Sequence, residues 1–191
     1  MTDAVDAITI ALQVTSALDA LGVVHTIGGS IASSMAGEPR STIDVDIVVD
    51  LRAEHVPGLV AALQQDFYLD ETALQRAVAD LSSANLIHHE TSIKIDLFIA
   101  GGTPLDRQQL ARRLRVDVGG RTLHVHPPED ILLQKLRWYR KGGEVSDRQW
   151  RDVVGIVRVQ GTRLDRTYLY SQAPVLGVAD LLDRALSVVD S

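Results

Sequence analysis

The residue types and spacings that could do chemistry are concentrated between Ile27 and Asp50, IGGSIASSMAGEPRSTIDVDIVVD. Asp44 and Asp46 stand two apart in an alternating run, Ile43, Val45, Ile47 and Val49 against Asp44, Asp46 and Val48. On a strand, residues two apart leave the same face of the sheet. Two carboxylates held that close repel one another and are costly unless neutralised. A divalent cation such as Mg²⁺ does this well, because it takes hard oxygen ligands and keeps room for waters and a phosphate. The plain alternative is a polar strand face turned to water. Asp96 adds a third acid in a second apolar run, Ile93-Lys-Ile-Asp-Leu-Phe-Ile, where a buried, unpaired carboxylate would be strongly disfavoured. If the two strands are neighbours, Asp44, Asp46 and Asp96 form a triad able to hold two metal ions ~3.5–4 Å apart. Upstream, Gly28, Gly29 and Ser30 join a strand to a short helix. Glycines let the backbone approach an anion, and a helix N-terminus offers free N–H groups. Together these features describe a phosphate cradle facing a metal site.

The elements that must position these groups follow from periodicity. Ala4 to Leu21 reads as an amphipathic helix closed by Gly22, and Val23 to Ile27 as a short strand. Ser30 to Ala36 is a short helix of small residues, and Ile43 to Val49 and Ile93 to Ile99 are strands. Helix is expected from Ala53 to about Gln65, and Leu86 to His89 is a candidate partner for the Ile93 strand. Leu114 to Val118 and Arg121 to Val125 flank Gly119-Gly120, a two-residue hairpin turn. Beyond Pro127-Pro128 the pattern is helical throughout, over Glu129 to Arg140, Asp147 to Gln160 and Val178 to Val188. The expected fold is α/β (α+β), a mixed β-sheet flanked by helices with a helical C-terminal portion. Residues 1–126 would be the core, and residues 127–191 would pack on it.

Composition narrows the class. The chain has 191 residues, 46% hydrophobic and 23% charged, the balance of an ordinary globular domain. It contains no cysteine, which removes disulfides, thiolate zinc sites and thiol nucleophiles. A net charge of −6 argues against a broad DNA-binding surface. The first apolar stretch, Ala7 to Leu12, lacks the basic flank of a signal peptide, and no run approaches a membrane span. The expected compartment is the cytoplasm, with no membrane partner. No Walker-type Gly-x-x-x-x-Gly-Lys is present.

The sequence resembles the nucleotidyltransferase superfamily, and more narrowly the AbiEii/AbiGii-type and related minimal nucleotidyltransferase-like proteins. The residues that carry the likeness are Gly28-Gly29, Gly37, Arg40-Ser41-Thr42, Asp44-Val45-Asp46 and the later Asp96. Pro128-Glu129-Asp130 opening a helix with Lys135, Arg151-Asp152, and the Tyr168 to Leu186 run extend it over nearly the whole chain. The resemblance implies roles residue by residue. Gly28, Gly29 and Ser30 would hold a triphosphate, and Asp44 and Asp46 would bind Mg²⁺. Asp96 would complete the metal site or act as general base. Arg40 and Lys135 would meet the charge on the phosphoryl oxygens, and Asp152 would orient Lys135 or touch the nucleotide. The implied reaction is Mg²⁺-dependent transfer of a nucleoside monophosphate from an NTP to a hydroxyl or phosphate acceptor, releasing pyrophosphate. The acceptor would be an antibiotic, a tRNA or a protein, and a toxin with a cognate antitoxin protein is one version. The rival reading is a catalytically silent nucleotide- or partner-binding module of the same fold.

Other features rank lower. His124-x-His126 would put two imidazoles on one strand face, a metal pair without an evident third ligand, and a solvent-facing strand is the simpler expectation. Arg137, Trp138, Tyr139, Arg140 and Lys141 form a basic and aromatic helix end, where cations are already favoured by the helix dipole.

Overall fold

The computed structural model describes residues 2–39, 44–101 and 103–188. The chain divides into two compact units. The first comprises described residues 2–31, 44–101 and 103–126, and the second residues 32–39 and 127–188. Among the described residues, no helix is long and apolar enough to cross a membrane.

The first unit is built on a seven-stranded mixed sheet. Its strands are β1 (His25–Ile27), β2 (Asp44–Val49), β3 (Phe67–Tyr68), β4 (Ser83–His88), β5 (Lys94–Ile99), β6 (Leu114–Val118) and β7 (Arg121–Val125). They lie in the order β3-β4-β5-β2-β1-β7-β6. Alternation decides which face is buried. Val45, Ile47 and Val49 of β2 and Ile95, Leu97 and Ile99 of β5 point into the core, while Asp44, Asp46, Lys94 and Asp96 take the other face. Each fully buried Val, Ile or Leu contributes about 1.5–3 kcal/mol, so the register that puts the aliphatic set inside also forces the acids out of the core. The core face is packed by α1 (Thr2–Ala20), α3 (Val56–Leu63) and α4 (Glu71–Asp80). In α1, Ala7, Ile10, Ala11, Val14 and Leu18 recur at helical spacing and are buried.

Boundaries shift where backbone hydrogen bonds are claimed elsewhere. Strand β1 begins at His25 rather than Val23, because the Val23 N–H donates to the Leu18 carbonyl and closes α1, with Gly22 at φ +70°. The expected helix over residues 53–65 opens as a 3₁₀ turn, Ala53–His55, and becomes α-helical at Val56, with Pro57 tolerated in the first turn. Strand β4 starts at Ser83 and omits His89, whose N–H donates to the Asp66 carbonyl. Ile43, the expected first residue of β2, lies outside the described residues. Both strands of the Gly119-Gly120 hairpin have the expected bounds. Helices α4 and α5 (Pro104–Arg112) were not expected. Asp70 caps α4 by accepting from the Ala73 N–H, and Thr103 and Asp106 form a capping box on α5.

Helix α2 (Gly29–Ala36) begins in the first unit and ends in the second. The second unit is otherwise α6 (Pro128–Lys141), α7 (Asp147–Gln160), α8 (Arg166–Gln172) and α9 (Ala179–Ser187). Its core joins Ala32 and Ala36 to Leu132, Leu136, Ile156, Leu169 and Leu182. Gly37 sits against the backbone of Ile156, where a Cβ would come within 2.8 Å of the Ile156 nitrogen. The acids that open α6 are structural ties. The Tyr168 hydroxyl donates to Asp130 Oδ1 at 2.6 Å, and the Asp165 N–H donates to Glu129 Oε1 at 2.9 Å. Arg140 spans to Asp180 Oδ2 at 2.6 Å and Glu144 Oε1 at 3.1 Å.

Candidate active site

Strands β2 and β5 are parallel neighbours in a register that pairs Asp44 with Lys94 and Asp46 with Asp96. Paired residues on adjacent strands share a face, at a strand spacing of about 4.8 Å. The polar face therefore carries Asp44 and Asp46 on β2 beside Lys94 and Asp96 on β5. Asn85 of β4 extends the row, since it pairs with Asp96. The adjacency that the sequence could only pose as a condition is present.

The glycine turn is pinned to the same place. Strands β1 and β2 are antiparallel, and the Gly28 N–H continues their ladder by donating to the Asp46 carbonyl at 2.9 Å. Gly29 follows at φ +53° as the first residue of α2. A Cβ there would overlap the Asp46 carboxylate at Oδ2. Only glycine allows the start of α2 to lie directly against Asp46. The first N–H groups of a helix have no intrahelical acceptor, so this end of α2 is suited to an anion. Ser30 is the second residue of α2 and is half-buried.

A cation already meets one of the acids. Lys94 Nζ lies 2.8 Å from Asp96 Oδ2, and this hydrogen bond raises the Lys94 ammonium above its usual range, with Asp44 and Asp46 adding to the effect. Sequence reasoning passed over Lys94. The signal was available, because Lys94 and Asp96 are two apart in the same alternating run.

In the second unit, Lys135 of α6 and Asp152 of α7 form a half-sheltered ion pair, Nζ to Oδ2 2.7 Å, with side chains 12% and 8% exposed. Arg40, with Ser41 and Thr42, lies outside the described residues. The histidine expectation is corrected. Strand β7 stops at Val125, and His126 is buried at 2% exposure rather than facing solvent. Its N–H donates to the Ile27 carbonyl, and burial pushes its imidazole down to about 4. His124 stands apart from it, 5.5 Å ring to ring from His25.

Hard oxygen donors on one face, with an anion-suited helix start beside them, fit a Mg²⁺–triphosphate group. Asp44, Asp46 and Asp96 are the residues that would hold the ion, and the close seat at Gly29 would be the cradle for the phosphates.

Solved structures similar to this chain include the following three. An antigenic nucleotidyltransferase-like protein from Paracoccidioides brasiliensis aligns at 18% identity with a TM-score of 0.55, covering 88% of this chain and 90% of its own. ANT(2'')-Ia in complex with adenylyl-2''-tobramycin aligns at 13% identity and TM-score 0.57, covering 88% and 95%. The lincosamide antibiotic adenylyltransferase LnuA, lincomycin-bound, aligns at 13% identity and TM-score 0.51, covering 76% and 93%. No protein-family pattern and no curated protein matches the sequence. The fold is nucleotidyltransferase-like, an α/β architecture with a mixed sheet.

Proposed function

We propose that the protein is a Mg²⁺-dependent nucleotidyltransferase that moves a nucleoside monophosphate from an NTP to the hydroxyl of a small acceptor. The observation that carries this reading is the β2–β5 register, which sets Asp46 beside Asp96, with Asp46 also bonded through its carbonyl to Gly28. The fold shared with antibiotic adenylyltransferases supports it.

In this reading Gly28, Gly29 and Ser30 receive the triphosphate at the start of α2, and Asp44, Asp46 and Asp96 hold the metal. The ion, when bound, neutralises phosphate charge and polarises the phosphoryl group. Asp96 accepts the proton of the acceptor hydroxyl. The acceptor oxygen forms a new bond to the α-phosphorus, the bond from that phosphorus to the bridging oxygen breaks, and pyrophosphate leaves with the electron pair. Catalysis of this kind is chiefly positioning and electrostatics. A face lined with carboxylates favours a cationic acceptor, which makes an antibiotic bearing amino groups the leading class ahead of tRNA or a protein side chain.

The Lys94–Asp96 ion pair favours one second reading, a nucleotide-binding module without transfer, because it neutralises the third acid without a metal. One experiment separates the two. Thermal unfolding is followed with each NTP, with and without Mg²⁺, and label transfer from α-labelled NTP is followed across antibiotic, tRNA and protein acceptors. A ligand binding only the folded state adds about 2.7 kcal/mol of stability at a hundredfold excess over Kd. The transferase reading expects that Mg²⁺-dependent stabilisation and label on an antibiotic, with transfer reduced ~1000-fold in Asp46→Asn. Stabilisation without transfer to any acceptor selects the silent module. No stabilisation by any NTP overturns both.

A further inference from the structure

We propose that Asp19, His25 and His124 form a second metal site, for a divalent transition-metal ion of the zinc type, at the opposite end of β1 from the glycine turn. One ligating atom from each side chain can be chosen so that all three lie within 4.8 Å of one another, and among the described residues no other group of three or more His, Asp or Glu side chains meets that limit. Asp19 comes from the last turn of α1, His25 opens β1 and His124 lies in β7.

The local chemistry suits an ion. His25 is buried, and its Nδ1 is 3.1 Å from the Val23 carbonyl. That bond places the ring proton on Nδ1 and leaves the lone pair on Nε2, the usual way a backbone carbonyl fixes the tautomer of a metal-binding histidine. His25 Nε2 and His124 Nδ1 are both shut from solvent with no hydrogen-bond partner among the described residues. Asp19 Oδ1 is 3.8 Å from His25 Nδ1. An acid at a helix C-terminus opposes the helix dipole, and α1 has no basic residue in its last turn. A bound cation would relieve that conflict.

Two imidazoles and a carboxylate, with a fourth position left open, is a familiar zinc donor set. Tetrahedral zinc keeps its ligand atoms about 3.4 Å apart, so the three must draw in by about an ångström. The Asp19 carboxylate, 54% exposed at a helix end, has the freedom to supply most of that. The cavity they line has a volume of about 160 Å³, enough for a water or small anion as fourth ligand. Arg113 also lines it, with its guanidinium bonded to the Leu110 carbonyl at 2.8 Å. Its charge disfavours a naked cation but suits an ion carrying an anionic fourth ligand.

The test is titration of chelator-treated protein with Zn²⁺ by calorimetry, and with Co²⁺ by visible absorption, in the wild type, Asp19→Asn and His124→Gln. Each is repeated in an Asp46→Asn background, which separates ions held by the β2–β5 carboxylates. The expected result is one equivalent of Zn²⁺ in every chain retaining the cluster, a tetrahedral Co²⁺ spectrum, and affinity at least tenfold weaker in Asp19→Asn and His124→Gln. Asp19 is largely exposed, so its variant should unfold at the wild-type temperature without metal, and a fold defect would show there. Equal Zn²⁺ affinity in all chains, or no binding at micromolar Zn²⁺, overturns the site.

Discussion

The two ends of β1 carry two donor sets that solve the same electrostatic problem differently. At the C-terminal end, Asp44, Asp46 and Asp96 are like charges set out along neighbouring strands, and a lysine already balances one of them. At the N-terminal end, two imidazoles and one carboxylate converge within 4.8 Å. Like charges cannot converge that far without a counter-ion, whereas imidazole rings can. In the proposed reading, the carboxylate face takes a ligand that brings both positive charge and phosphate. The histidine cluster is already gathered and has only to draw in by about an ångström around the ion. A glycine stands at each end, and the pair offers the sharpest means of breaking the comparison.

Gly29 and Gly22 both take positive φ, +53° and +70°. A left-handed backbone alone makes alanine costly by about 1–2 kcal/mol. At Gly22 nothing lies within 4 Å of the added Cβ, so Gly22→Ala should cost only that. At Gly29 the added carbon overlaps the Asp46 carboxylate, so either α2 or Asp46 must move. Gly29→Ala should cost about 3 kcal/mol or more, an overpacking penalty of about 1–3 kcal/mol added to the strain, and should abolish NTP-dependent stabilisation. Urea unfolding of both variants measures the difference. Equal losses would mean that the Gly29 seat against Asp46 is loose.

The next effect concerns His126, whose N–H bonds to Ile27 beside the glycine turn. Its imidazole is about 4 in the folded chain because it is buried, against about 6.5 when unfolded. The unfolded chain therefore binds the extra proton first as pH falls. Stability contributed by the neutral ring is intact above about 6.5 and is lost progressively down to about 4, by up to about 3 kcal/mol. In chelator-treated protein, His126→Leu should flatten the fall in stability between those pH values. An unchanged slope would place that proton elsewhere.

What could be read in advance follows from distance along the chain. The aliphatic alternation of β2 and β5 marks both strands and shows that Asp44, Asp46 and Asp96 leave the core face, because i and i+2 are local facts. Their adjacency depends on a crossover, which no local pattern contains. Helix α4 buries only Leu74 and Ala77, and α5 is polar over most of its length, so neither shows a strong apolar stripe. Their caps at Asp70 and Thr103 were the available signal. Glu129 and Asp130 stood out as a motif, but their bonds to Asp165 and Tyr168 are tertiary. The histidine cluster was hidden for the same reason: Asp19 and His25 lie at one end of the core sequence and His124 at the other. Reading His124 with His126 used a spacing that β7 does not extend far enough to support.

The smallest expected effect tests whether the carboxylate end is held in reserve by Lys94. The lysine side chain is 42% exposed, so its ion pair with Asp96 is screened and is of the kind worth about 0.2–1 kcal/mol. Removing it in Lys94→Met leaves Asp96 free and makes the face more negative by one charge. If Asp96 shares the ion with Asp44 and Asp46, the Mn²⁺ concentration needed for NTP-dependent stabilisation should fall two- to five-fold, with no change in Zn²⁺ affinity at the histidine cluster. Read by thermal unfolding against Mn²⁺ concentration, an unchanged midpoint would mean that Asp96 does not take part in holding the metal. Its role would then narrow to that of the base. A weaker Mn²⁺ response would make Lys94 part of the nucleotide seat, with its charge directed at phosphate as well as at Asp96.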